Sequence, residues 1–226
     1  NVNYRYLDDE LWYLLDNSDS EAIIFHSSLG DRVARVVERL PKIKLLIEVD
    51  DGDAGQVPNA LAYDDVIAGT EPMERIERSE DDLYMLYTGG TTGMPKGVMY
   101  DMGGMTRGFV MLGLPMLGLA APDDADSIGE MIAGASVNGS TLVSIPAAPL
   151  MHGTGCWLGW FIPHLAGGHV VTLENRSLDA HELLATVERH KVTSLTIVGD
   201  SFAKPIIRAL DEGKPGGEPY DTSSVG

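Results

Sequence analysis

Apolar positions along this chain recur with two periods. Short β-branched runs alternate with stretches whose apolar residues return every three to four positions, which predicts an α/β fold of layered sheets flanked by helices. After Asp8, a candidate N-cap, Leu11, Leu14 and Leu15 fall on one helical face. Ala22-Ile23-Ile24-Phe25 reads as a buried strand. Ser28–Leu40 reads as a helix with Val33, Val36 and Val37 on one face and Pro41 as its stop. Ile43–Val49 is the next strand, so residues 22–49 make one strand–helix–strand unit. The polar stretch Asp50–Pro58, with Asp51, Gly52, Asp53 and Gly55, is the candidate subdomain seam, near 50–60.

Further along, the pattern predicts a short helix over Tyr63–Ala68 and a strand over Leu83–Tyr87 after the acidic run Glu77–Asp82. Strands are also expected at Thr141–Ile145, His169–Leu173 and Ser194–Val198. A helix over Asp179–His190 buries Leu183, Leu184 and Val187 and turns Glu182 and Glu188 to water. Residues 101–139 mix Met102, Met105, Met111 and Met116 with Gly103, Gly104, Gly108, Gly113 and Gly118. Two readings stay open there: a core helix loosened by glycine, or the wall of an adaptable apolar pocket. Asp123, Asp124 and Asp126 read as a solvated loop.

Composition narrows the classes. A chain of 226 residues buries roughly 70% of its unfolded surface and needs no covalent staples. Its one cysteine, Cys156, excludes an intrachain disulfide and fits a reducing compartment. The formal net charge of −18 argues against nucleic acid and anionic membrane as partners, since both require a basic footprint. The longest apolar stretch, Gly108–Pro122, is broken by Gly113, Pro115 and Gly118, and is shorter than the ~20 residues of a spanning helix. With no basic, apolar leader at the start, the expectation is a cytoplasmic protein without a transmembrane segment; a homodimer is allowed.

The chemistry concentrates in Tyr87-Thr88-Gly89-Gly90-Thr91-Thr92-Gly93-Met94-Pro95-Lys96-Gly97-Val98. Gly89, Gly90 and Gly93 allow positive φ and close approach to a ligand. Successive N–H groups in such a turn form an anion-binding concavity, and Thr88, Thr91 and Thr92 add hydroxyls. Lys96 is the only basic residue between Arg78 and Arg107. A charged hydrogen bond from it to phosphate contributes on the order of 1.5–3 kcal/mol, roughly tenfold to a hundredfold in affinity. The Walker pattern is absent: Met94-Pro95 precedes the lysine, Gly97 follows it, and Gly213-Lys214 runs into Pro215. Ser136 lacks the closing glycine of a nucleophile elbow, and His164, His169, His181 and His190 lack metal-ligand spacing. Trp157, Trp160 and Phe161 read as core, with Trp157 also a candidate for an apolar pocket.

Residues 87–98 resemble the phosphate-loop signature of the adenylate-forming superfamily of acyl-CoA synthetases, luciferases and peptide-synthetase adenylation domains. Asn3-Tyr4-Arg5-Tyr6 with Asp9-Glu10-Leu11 resembles the stretch upstream of that loop in fatty-acyl-CoA synthetases, and Ala148-Pro149-Leu150-Met151-His152-Gly153 resembles their second core motif. The resemblance favours the acyl-CoA ligase branch. It implies adenylation of a hydrophobic carboxylic acid by ATP with Mg²⁺, then transfer to coenzyme A. It also implies roles: Thr88 near the metal, Gly89, Gly90, Thr91, Thr92, Gly93 and Lys96 around the phosphates, and His152 where adenylate and acyl chain meet. On residues alone His152 reads equally as a satisfied core histidine.

Family members are longer, with a large N-terminal domain and a small mobile C-terminal one. The Thr-Glu adenine motif, the ribose-binding Asp, the hinge and the catalytic lysine of the C-terminal domain have no counterpart here. Residues 1–226 are therefore expected to be an incomplete N-terminal adenylation domain, inactive alone. The alternatives are a phosphate- or nucleotide-binding module without catalysis, an adenylating enzyme with a different acceptor, and an α/β domain with a vestigial loop. Ile197-Val198-Gly199-Asp200-Ser201-Phe202 looks similar to bacterial synthetases for long-chain or steroid-derived acids.

Overall fold

The computed structural model describes residues 2–53, 57–90, 93–116, 118–139, 141–175 and 177–226. They form two compact units, Val2–Met102 and Gly103–Gly226.

The first unit opens with helix α1 (Asp8–Asn17). Its N-cap is Leu7, whose N–H donates to the Glu10 carboxylate at 2.9 Å. Asp8, the expected cap, lies inside the first turn instead. There its charge favours the helix dipole, and the Arg35 guanidinium donates to it at 2.7 and 3.1 Å. Strand β1 (Ala22–His26), a 3₁₀ turn (Ser27–Leu29), helix α2 (Gly30–Val37) and strand β2 (Leu45–Val49) follow. The two strands pair in parallel from Ala22↔Leu45 to His26↔Val49. Strand β3 (Leu61–Ala62) adds to β2 through Ile47↔Leu61, and helix α3 (Tyr63–Ala68) ends this part.

One face of this sheet is packed. Leu14, Leu15, Val36 and Leu40 close on Ile23, while Phe25, Val33 and Val57 close on Leu46. Each such side chain, fully buried, stabilises the fold by about 1.5–3 kcal/mol. The other face carries Ile24 at 62% and Leu61 at 49% exposure, on either side of Ile47 in register.

The polar stretch near 50–60 joins two strands of this one sheet, and the division between units falls at Met102/Gly103. Asp51 ties the stretch down by accepting from Ser27 Oγ (2.7 Å), Ser28 N (3.0 Å) and Ser28 Oγ (2.5 Å). The unit ends in an antiparallel ribbon of β4 (Leu83–Gly90) and β5 (Gly93–Asp101).

Helix α4 (Met102–Gly108), whose first residue closes the first unit, continues through a π-helical segment (Phe109–Gly113) into α5 (Leu114–Met116) of the second. Val110 and Leu114 turn inward there, and Met111, Leu112 and Met116 outward. The acidic stretch after it is more than a solvated loop. Asp124 caps α6 (Ala125–Val137), accepting from Ser127 N at 2.8 Å and Ser127 Oγ at 2.6 Å.

Strand β6 (Val143–Pro146), a second π-helical segment (Thr154–Phe161), α7 (Ile162–Leu165), β7 (His169–Val170), α8 (Ala180–His190), β8 (Ser194–Thr196) and α9 (Asp200–Glu212) complete the chain. The sheet order is β7-β6-β8, all parallel. Its core joins Ile145 to Leu183, Leu184, Val187, Val192, Ile206, Ala209 and Tyr220. Asp179 is the cap of α8, accepting from His181 N and Glu182 N at 2.9 and 3.2 Å. Glu182 does not simply face water: its Oε1 accepts from Glu174 N (2.6 Å) and Asn175 N (3.3 Å), holding the preceding turn against α8. Among the described residues, no helix is long and apolar enough to cross a membrane.

Candidate functional site

The segment Tyr87–Val98, expected as a loop leaving its strand at Tyr87, is paired strand on both arms. The ladder runs Leu86↔Val98, Tyr87↔Gly97 and Thr88↔Lys96, then resumes at Gly90↔Gly93. Between Thr88↔Lys96 and Gly90↔Gly93, two residues of β5, Met94 and Pro95, stand opposite Gly89 alone, so the register shift is a bulge on β5 that bends the ribbon just before its tip. Pro95 is buried within β5, and a residue without an N–H is tolerated because β5 has a free edge among the described residues.

Thr88 and Lys96 are direct cross-strand partners, so their Cβ atoms lie about 4.5–5.5 Å apart on one face. Both are exposed. A hydroxyl and an ammonium therefore present together close to the Gly90↔Gly93 pair. Thr91 and Thr92 lie outside the described residues. Of the chain's six lysines, Lys42, Lys44, Lys191, Lys204 and Lys214 each hold a carboxylate. Lys96 has no such pair among the described residues, so its charge is available to an incoming anion.

The register partner of Gly97 is Tyr87, and the two touch. A Cβ on Gly97 would lie 3.0 Å from Tyr87 Cζ and 3.0 Å from Met85 Sδ, so the tyrosine ring rests on bare backbone. Tyr87 Oη donates to Asn17 Oδ1 of α1 at 2.6 Å. Burial raises the pKa of this phenol, and the neighbouring Tyr13 and Asp19 add to that against a hydrogen bond from Ser18. It therefore remains a donor at neutral pH. Sequence reasoning missed this tie, because 70 positions separate the partners and neither residue type marks a site.

In the second unit, His152 is exposed, which removes the core reading. It stands in the turn after β6: its N–H bonds Pro149 O at 3.0 Å and its carbonyl accepts Cys156 N at 3.0 Å. The π-helical segment that follows lies directly on that turn. A Cβ on Gly155 would sit 2.4 Å from Ala148 O and 2.6 Å from Pro149 O, so only glycine fits. Buried Ser144 donates to Gly159 O at 3.1 Å, bonding the π turn to β6. Phe109 lies 6.0 Å from Trp157 and 6.2 Å from Phe161, ring to ring, so aromatic contacts join the two π-helical segments. Segments of this kind recur at functional sites.

Lys96 and Thr88 thus belong to the first unit, and His152 with the aromatic cluster to the second. Among the described residues, no group of three or more His, Cys, Asp or Glu is placed to hold a metal. Thr88 is a single oxygen donor, which suits only a cation arriving with its other ligands already in place. A cleft of about 820 Å³ opens beside the carboxyl ends of β1 and β2, lined by Ser27, Asp50, Asp53 and Asn59 among others. The strand–helix–strand unit forecasts a crevice at that edge, though sequence reasoning did not single it out.

Comparison with known proteins adds to the geometry. The profile of the AMP-binding enzyme family matches residues 1–224. The 3-oxocholest-4-en-26-oate–CoA ligase of Rhodococcus rhodochrous is 37% identical over 232 residues, covering 100% of this chain and 40% of the relative. The medium-chain acyl-CoA ligase Mig of Mycobacterium avium is 35% identical over 218 residues, covering 94% and 38%. The chain thus spans about 40% of the length of the curated relatives it matches. Among solved structures, the anthranilate CoA ligase AuaEII in complex with anthranoyl-AMP superposes with a TM-score of 0.67 at 20% identity, over 86% of this chain and 34% of that one. ATP-bound MatB from Rhodopseudomonas palustris gives 0.64 at 19% identity, over 99% and 37%. At such identities the likeness concerns the fold.

Proposed function

Because this chain belongs to the AMP-binding enzyme family, we propose that it carries the triphosphate-binding part of an ATP-dependent acyl-CoA ligase. The observation that carries this reading is the Thr88–Lys96 pair beside the ribbon tip, where Lys96 stands without a carboxylate. In the reaction, a carboxylate oxygen attacks the α-phosphorus of ATP. The bond to the pyrophosphate oxygen breaks, leaving an acyl-adenylate. The sulfur of coenzyme A then attacks the acyl carbon and AMP departs.

Lys96 would neutralise charge building on the leaving pyrophosphate, and the hydroxyl of Thr88 would donate to it, fixing its direction. Backbone N–H groups of Gly89, Gly90 and Gly93, with the Thr91 and Thr92 hydroxyls, would complete the cradle. Mg²⁺ carried on the nucleotide would supply further neutralisation, with Thr88 as the donor nearest the tip. His152 would orient the adenylate or gate the acyl site. The substrate class is a bulky apolar carboxylic acid, as the names of the matched relatives suggest, and the setting we propose is cytoplasmic, in keeping with a chain of one cysteine.

On its own the 226-residue chain binds MgATP without turning it over, since the adenine and ribose residues that the family resemblance calls for have no counterpart in it. Calorimetry of MgATP against the chain and its Lys96→Ala variant tests this. The substitution should weaken binding roughly tenfold to a hundredfold. Equal affinity in both would remove the phosphates from this ribbon. Carboxylate-dependent pyrophosphate release by the chain alone would show that these residues suffice for adenylation.

A further inference from the structure

We infer that Tyr87 is a positioning residue of the phosphate site, acting through its hydrogen bond to Asn17. The inference rests on the phosphate-site reading above and adds what holds that site in place. A two-stranded ribbon by itself is marginally stable in water, so the orientation of its tip must come from elsewhere. Within the first unit, α1 is fixed by Leu14 and Leu15 in a cluster with Val36 and Leu40, and Tyr87 packs against that same cluster. At the end of α1, Asn17 Oδ1 receives the Tyr87 hydroxyl at 2.6 Å.

From Tyr87 the constraint reaches both arms of the ribbon. Tyr87 precedes Thr88 on β4, and its ring rests on Gly97, which follows Lys96 on β5. One side chain is therefore attached to the immediate neighbour of each residue assigned to phosphate. Phenylalanine would fill the same space against Gly97. It would lose the directional bond that sets how far the ribbon leans from α1.

Three variants of the 226-residue chain test this. Tyr87→Phe and Asn17→Ala each delete the bond, while Asn17→Asp keeps an acceptor oxygen. Amide hydrogen exchange in β4 and β5 should quicken about three- to tenfold in the first two, the factor a single hydrogen bond supports. Exchange in β6 and α8 should not change. MgATP affinity should fall several-fold alongside, and Asn17→Asp should restore both readouts.

Unchanged ribbon exchange in both Tyr87→Phe and Asn17→Ala would overturn the inference. So would faster exchange with MgATP affinity intact while Lys96→Ala still weakens it, because the bond would then be structural only. If the unsubstituted chain binds no MgATP, the phosphate-site reading fails and takes the positioning role with it; the exchange data then report only whether the anchor exists.

Discussion

Thr88 and Lys96 face one another across the two strands of a single ribbon, with the bulge of Met94 and Pro95 between them and the Gly90↔Gly93 pair. A pair held in register by a ladder should act as a unit on one phosphate. Thr88→Val and Lys96→Ala should each weaken MgATP binding, and the double variant should lose less than the sum of the two. A coupling of about 0.5 kcal/mol or more in the double-mutant cycle is expected. Strict additivity would mean that the two side chains bind separate groups.

Two glycines in the second unit make opposite predictions. Gly155→Ala drives a methyl group into the Ala148 and Pro149 carbonyls, which are backbone and cannot swing away. Urea unfolding should show a loss of about 2–3 kcal/mol. Gly134 lies inside α6 with nothing within 4 Å of its added Cβ. Gly134→Ala should gain about 0.5–1 kcal/mol from helix propensity and a less flexible unfolded chain. A neutral Gly155→Ala would contradict the close approach of the π-helical segment to its turn.

Asp221 sets an acid limb. Lys191 Nζ at 2.6 Å and hydrogen bonds from Ser223 hold its carboxyl well below the usual carboxylate range. A depressed folded-state pKa contributes stability that is present above the unfolded value, about 3.9, and is lost as pH falls below it. The melting temperature of Asp221→Asn should therefore lie below that of the unsubstituted chain at pH 6. The gap should narrow as the pH drops beneath about 4. A constant gap across that range would assign the difference to something other than this carboxylate.

Ile24 and Leu61 lie on the unpacked face of a parallel sheet, a class usually covered on both sides. Ile24→Thr keeps β-branching and removes part of that apolar surface. It should lower the fluorescence of a bound hydrophobic dye while changing stability by no more than about 0.5 kcal/mol. Dye binding equal to that of the original chain would locate the accessible apolar surface elsewhere.

Elements carrying their own local signals were legible in the sequence. The helix at 180–190 announced itself by Asp179 and the spacing of Leu183, Leu184 and Val187, and the strand–helix–strand unit at 22–49 by β-branched runs around an amphipathic stretch stopped by Pro41. The site was legible as a composition, three glycines with threonines and a lysine, but not as a shape. Glycine and proline disfavour strands locally, so residues 88–97 read as loop. What makes residues 88–90 and 93–97 strand is tertiary, namely the Tyr87 ring on Gly97 and the tie to Asn17. Helix α9 was hidden for a related reason, because Pro205 inside it interrupts the helical pattern. The cap at Asp124 was read as a loop because the Gly-rich α6 behind it gives a weak period.

The eight-residue π-helical run Thr154–Phe161 has a further meaning for how this chain can change. Its hydrogen bonds close over one residue more than those of an α-helix, so the segment stores spare length. A single-residue deletion inside it can be absorbed by rewinding to α geometry, without moving β6 or α7. The residues on either side then keep their bearing about the helix axis, where a deletion in an α-helix would turn everything beyond it by about 100°. The contacts of Phe109 with Trp157 and Phe161 can therefore outlast a change of length that an α-helix at the same place could meet only by shifting a whole packed face.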